Sequence, residues 1–289
     1  MILCAGSCRI NAPCKQHADN SMLLLCMGQG LLDFDLESGM RVRLIVEYDG
    51  TNYVGWQRQR DFMSVQEAME LAFERAVGEK VCLHSAGRTD AGVHAEAQVV
   101  HFDTDCVIPP ERLSYVFNMH LPPDIRVRRS EAADPSFHAR FDAKAKTYRY
   151  TIYNDKHAPA IYRHTAAFVR GRLDVDKMRD AAARLCGTHD FKPFSANGTE
   201  VKDKVRTIYG IALTADLPYI RIDVTGSGFL HHMVRIIAGT LIQVGIGKRE
   251  PDCIEAILAG RELAGPTAPA HGLTMKKVYY GDDRIPGMK

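Results

Sequence analysis

No stretch of the 289-residue sequence is suited to cross a membrane. The longest apolar run, Phe229 to Ile246, is interrupted by His231, His232 and Arg235, which hydrocarbon would not tolerate cheaply. The opening MILCAGSCRI has no basic segment followed by an apolar core, so no secretory signal is read there. Paired cysteines are missing as well. Cys4, Cys8, Cys14 and Cys26 crowd the first 26 residues, while Cys82, Cys106, Cys186 and Cys253 stand singly, and none makes a C-x-x-C pair. A secreted, disulfide-framed protein is excluded, and the expectation is a cytoplasmic chain with reduced, mostly buried thiols.

Signatures of bound cofactors are also lacking. GIGK at Gly245–Lys248 has neither the earlier glycine nor the following Ser/Thr of a phosphate-binding loop. TGSGF departs from G-x-S-x-G, and no G-x-G-x-x-G follows a strand. His231-His232 and the Cys82/His84 pair have no completing ligands at zinc spacing. The octapeptide of the RRM module is absent too. ATP, nicotinamide and metal chemistry are disfavoured; the sequence predicts no cofactor and no metal.

What is present is a mixed α/β pattern with uneven charge. The net charge is only +2, yet Arg126 to Arg149 carries seven basic residues (Arg126, Arg128, Arg129, Arg140, Lys144, Lys146, Arg149) against Glu131, Asp134 and Asp142. Such density suits a polyanionic partner, and equally a solvated charged face. Residues 1–40 lack periodicity and read as an atypical extension, disordered or a misassigned start. From Arg41 the pattern predicts a strand over 42–47, a helix opened by the capping box Ser64–Glu67, strands over 81–85 and 98–102, a helix over 110–118 and a strand over 125–129. A second unit begins near Lys146 with the strand TYRYTIYN. It continues with a helix from Asp174 to about Leu185, strands over 205–214 and 219–225, and a long helix from about Gly228 to Val244. The order predicts two α/β halves, 41–145 and 146–289, weakly suggestive of internal duplication, in an α+β fold with helices on one face of a sheet.

Three segments carry candidate chemistry. In GRTDAGVHA, Gly87 and Gly92 permit sharp turning around Arg88, Thr89 and Asp90. Asp90 has the chemistry of a nucleophile or general base, and also that of a turn cap. The long helix sets Leu230, Met233, Ile237, Leu241 and Val244 on a core face, and Gly228, His231, Arg235, Gly239 and Ile242 opposite. An arginine on so apolar a helix requires a partner, for which a carboxylate such as Asp90 is suited. On the strand KTYRYTIYN, Tyr148 and Tyr150 face one way and Arg149 the other, offering a ring that stacks on a base or a phenol that handles a proton.

With YDGTNYVGWQRQ and SVQEAME upstream, FHARFDAKAKTYRYTIYN in the middle and GSGFLHHMVRIIAG late, these segments resemble the tRNA pseudouridine synthase A family from about Arg41 onward. The resemblance implies the pseudouridine-synthase fold, two ferredoxin-like or RRM-like halves forming a mixed, mainly antiparallel sheet flanked by helices. It implies isomerisation of uridine to pseudouridine at positions 38, 39 and 40 of the tRNA anticodon stem-loop by a homodimer without cofactor or metal. By motif position, Asp90 matches the family's catalytic aspartate, Arg88 the arginine that assists base flipping, Tyr148 the tyrosine that stacks on the uracil, and Arg235 the partner of the aspartate. Attack at ribose C1′ and at uracil C6 are both open to such an aspartate.

Overall fold

The computed structural model describes residues 39–196 and 202–288; the proposed extension falls outside them except for Gly39 and Met40. Ten strands form one mixed sheet: β1 (Met40–Tyr48), β2 (His84–Ser85), β3 (His94–Thr104), β4 (Ile125–Ala132), β5 (Ala145–Asp155), β6 (Ala167–Arg170), β7 (Gly187–Asp190), β8 (Val205–Asp216), β9 (Tyr219–Gly226) and β10 (Leu273–Tyr279). Five α-helices accompany them among the described residues: α1 (Val65–Val77), α2 (Leu113–His120), α3 (Val175–Arg184), α4 (Met233–Gly245) and α5 (Cys253–Leu258). The strand order is β4-β1-β3-β10-β5-β9-β8-β7, with β2 on β3 and β6 on β5. Only β10–β3 and β5–β6 are parallel pairs.

Alternation explains the layering. Val42, Leu44, Val46 and Tyr48 on β1 are buried, as are Tyr148, Tyr150 and Ile152 on β5. Helix α1 closes the N-terminal part: Ser64 Oγ accepts from the Glu67 amide at 3.2 Å, while the Glu67 carboxylate turns to Arg58 at 3.8 Å. Val65, Met69, Ala72 and Phe73 line its buried face, and Phe73 packs on Phe102 of β3 and Phe117 of α2 with ring centroids 5.2 Å apart in each pair.

Several sequence expectations are corrected. The strand over 81–85 shrinks to His84–Ser85 because the Leu83 amide donates to Glu70 Oε1 at 3.1 Å instead of to a neighbouring strand. The described cysteines are free but not mostly buried: Cys82 is exposed, Cys106 and Cys186 are half-buried, and only Cys253 is buried. The long helix starts at Met233, not Gly228; His232 stands at its N-cap with φ 62°, in the left-handed region. Its far side is not open either. The chain at 265–268 lies across it, with the Gly265 amide on Thr240 Oγ1 and the Ala268 amide on the Arg235 carbonyl, so α4 is buried almost all round. No described helix is long and apolar enough to cross a membrane.

That covering chain approaches α4 at Gly239, where a Cβ would lie 1.8 Å from the Pro266 carbonyl oxygen. Gly239→Ala is therefore expected to force backbone apart and cost about 3 kcal/mol or more. Thermal unfolding of the variant checks this, and an unchanged midpoint would contradict the packing described.

Candidate active site

The loop Gly87–Val93 is held from three sides. Gln98 of β3 donates through Nε2 to the Gly87 carbonyl at 2.7 Å, and Tyr48 of β1 shares a 2.8 Å hydrogen bond with Thr89 Oγ1. The third side is the loop that follows β1. The Trp56 amide donates to the Thr89 carbonyl at 3.1 Å, and Gly55 bridges to Asp90. Gly55 has φ 100° and a Cβ there would fall 2.3 Å from the Thr89 oxygen, so only glycine lets the two loops meet. Sequence reasoning left the role of this clamp unread, although the glycine and aromatic punctuation of YDGTNYVGWQ was its visible trace.

So held, Asp90 faces a cleft of about 1270 Å³ between α1 and the start of α4. Arg235 Nη1 donates to Asp90 Oδ2 at 2.9 Å, and Arg235 Nε to the Ala268 carbonyl at 2.8 Å. The helix arginine and the loop aspartate are thus brought together across 145 residues of sequence. Two further side chains converge: His231 Nε2 lies 3.5 Å from Asp90 Oδ1, and His232 Nε2 3.4 Å from Oδ2. Burial lowers the pKa of His232 against the opposing pull of Asp90.

Tyr148 also lines the cleft, its ring edge-on to Phe229 with centroids 5.2 Å apart. Burial, reinforced by Tyr48 and Asp90, raises its pKa far above the usual phenol value, so it stands as a neutral hydroxyl. Arg88 reaches the same cleft as an exposed side chain with no ion pair among the described residues.

Among the described residues Asp90 is the one acidic side chain of the lining, against Arg88, Arg140, Lys146 and Arg206. Lys146 and Tyr148 both pack beside Gly87: the Lys146 Cε and the Tyr148 oxygen each lie 3.7 Å from where a Cβ on Gly87 would sit. Burial, with Arg140 and Arg206 adding repulsion, lowers the Lys146 pKa to about 8. Arg206 donates to the backbone carbonyls of Asp203 and Val205, and Arg140 lies over the Phe141 ring. None of these three has a carboxylate partner among the described residues. Lys146 was visible in the sequence as a member of a basic run; its convergence with Arg206 needed the fold.

A carboxylate on a clamped loop, paired with an arginine and surrounded by unneutralised cations, defines an enzyme of polyanion chemistry. A family model described as tRNA pseudouridine synthase matches residues 44–142 and 181–281. Proteins named tRNA pseudouridine synthase A are similar over most of the chain. That of Ruminiclostridium cellulolyticum is 49% identical over 243 residues, that of Bacillus subtilis 49% over 245 and that of Acetivibrio thermocellus 47% over 241, each match covering 83% of this chain and 99% of the relative. The chain belongs to the tRNA pseudouridine synthase family and is an isomerase of uridine to pseudouridine in tRNA.

Proposed function

We propose that the chain isomerises uridine at positions 38, 39 and 40 of the tRNA anticodon stem-loop, with Asp90 as the nucleophile. The observation that carries this reading is the Asp90–Arg235 pair at 2.9 Å at a cleft whose other charged side chains, among the described residues, are cations or histidines. A uracil within a stem must leave the stack before its glycosidic bond is accessible. Arg88, unpaired at the cleft, is suited to fill the space the base vacates. Asp90 attacks the nucleotide, and the C1′–N1 bond breaks. The base turns against Tyr148, C5 bonds to C1′ while the bond to Asp90 breaks and returns its carboxylate, N1 takes a proton and C5 loses one. Atoms balance without an oxidant or a phosphoryl donor. The neutral Tyr148 hydroxyl serves as a relay for the C5 proton rather than as a standing phenolate. Arg235 orients Asp90 and offsets the cost of drawing its charge from water. Transcripts carrying uridine singly at 38, 39 or 40 test the positional reading: product is expected at each, and modification confined to other positions would contradict it.

Lys146, Arg140 and Arg206 hold the phosphate of the flipped nucleotide in this reading, because cations with no carboxylate partner among the described residues are suited to take an anion at the cleft wall. Lys146→Met is expected to raise KM about tenfold and to lower the salt slope of tRNA binding by about one. Lysine binds phosphate only when protonated, and its pKa is lowered to about 8. KM is therefore expected to climb as pH rises through about 8, and Lys146→Arg should flatten that climb. A KM independent of both pH and the substitution would remove Lys146 from the site.

The same reading carries a homodimer acting in the cytoplasm, the second subunit extending the basic surface along the tRNA. Sedimentation at working concentration tests it, and a fully active monomer would contradict it.

A further inference from the structure

We propose that His231, His232 and Asp90 form a site for a divalent transition-metal ion of the zinc class, which shuts off the nucleophile reversibly. The inhibitory consequence rests on the reading of Asp90 given above; the binding itself rests on geometry alone.

The three side chains offer ligand atoms that all lie within 4.8 Å of one another. The separations from the carboxylate, 3.5 Å from His231 Nε2 to Oδ1 and 3.4 Å from His232 Nε2 to Oδ2, are longer than good hydrogen bonds. Bonds of ~2.0–2.1 Å to a common zinc ion place neighbouring ligand atoms roughly 3.3–3.4 Å apart, so with all three ligand atoms within 4.8 Å of one another, small side-chain rotations toward Oδ1 close them onto one ion. Two consecutive residues do not ordinarily aim at one carboxylate. They do so here because His232 takes φ 62°, which brings the two rings to a centroid distance of 3.9 Å. A left-handed conformation in a non-glycine residue carries a strain that the surrounding structure must hold.

Access fits an exchangeable ion. His231 is about half exposed, leaving an entry path and room for water as the remaining ligand. Arg235 occupies Asp90 Oδ2, while Oδ1 accepts no hydrogen bond among the described residues. The nearby guanidinium opposes the ion's charge, which favours reversible binding over a permanent structural metal. Two imidazoles and one carboxylate suit zinc, cobalt, nickel or copper, whereas magnesium demands octahedral oxygen ligands and keeps its waters. The site therefore lets the magnesium that accompanies folded RNA pass and responds to softer ions.

The test titrates the full chain with Co²⁺ and with Zn²⁺ in the absence of RNA, following cobalt absorption in the visible range and heat of binding. His231→Asn, His231→Asn/His232→Asn and Asp90→Asn are compared with wild type, so that sites made by cysteines cancel in the difference. The expected result is one ion per chain whose affinity falls at least about tenfold in each variant and which Mg²⁺ does not displace. His231→Asn, at a half-exposed position, guards against loss of fold, and its melting curve verifies this. Titrations identical in wild type and variants would overturn the site. Zn²⁺ that binds there yet leaves turnover unchanged would overturn its inhibitory role, and inhibition relieved by chelator and absent with Mg²⁺ would support it. A chain without synthase activity that still bound the ion through these residues would count against the catalytic reading, not against the metal site.

Discussion

Asp90→Asn is expected to abolish pseudouridine formation, lowering kcat by at least about 10⁴-fold, as removal of a covalent nucleophile does elsewhere. The substitution changes one oxygen for an amide nitrogen and leaves the volume alone, so the clamp of Gln98, Tyr48 and Gly55 on the loop should persist. Neutralising the one acidic side chain that lines the cleft among the described residues also removes a repulsion for phosphate. Binding of tRNA is thus expected to be unchanged or somewhat tighter while turnover vanishes. Filter binding and single-turnover kinetics on the same preparation separate the two effects. Residual turnover within tenfold of wild type would take the nucleophile's role away from Asp90.

The second large effect is expected at Arg235. Its guanidinium is mostly buried and serves two acceptors, Asp90 Oδ2 at 2.9 Å and the Ala268 carbonyl at 2.8 Å. Arg235→Gln leaves the carboxylate without its counter-ion and one carbonyl short of a donor. A loss of roughly 10²–10³ in kcat is expected, from misorientation of the nucleophile, with about 1–3 kcal/mol of stability lost for the unsatisfied groups. Arg235→Lys restores a charge but not the fork that reaches both acceptors, so it should recover part of the stability and little of kcat. Turnover and thermal unfolding measured together check this. Equal recovery of both by lysine would mean that charge alone matters.

The N-terminal strand and helix were legible because their physics is local. Val42, Leu44 and Val46 alternate as a strand does, and Ser64 stands where a helix needs a cap. The demand of Arg235 for a carboxylate was legible as well, since a cation on an apolar helix is costly alone. Other features depend on distant neighbours. Strand β10 joins the two parts of the sheet, and its alternation breaks at a register shift between Met275 and Lys277, which hides the period of two. The helix start was misplaced because Gly228 to Leu230 continue the apolar pattern, and the turn at His232 is a backbone feature no residue type announces. Arg140 and Lys146 share one basic run while Arg206 lies some 60 residues on, so the convergence of the three was invisible before the sheet assembled them.

The proposal that Asp90 drives isomerisation with the base retained on the RNA is open to one direct test. The most direct measurement uses an unmodified tRNA transcript tritiated at uracil C5, incubated with wild type and with Asp90→Asn. Tritium is expected in water from wild type alone, with pseudouridine recovered in the RNA and no free uracil. A folded wild type that binds the transcript and releases no tritium, or a variant that releases it as fast as wild type, would contradict the account.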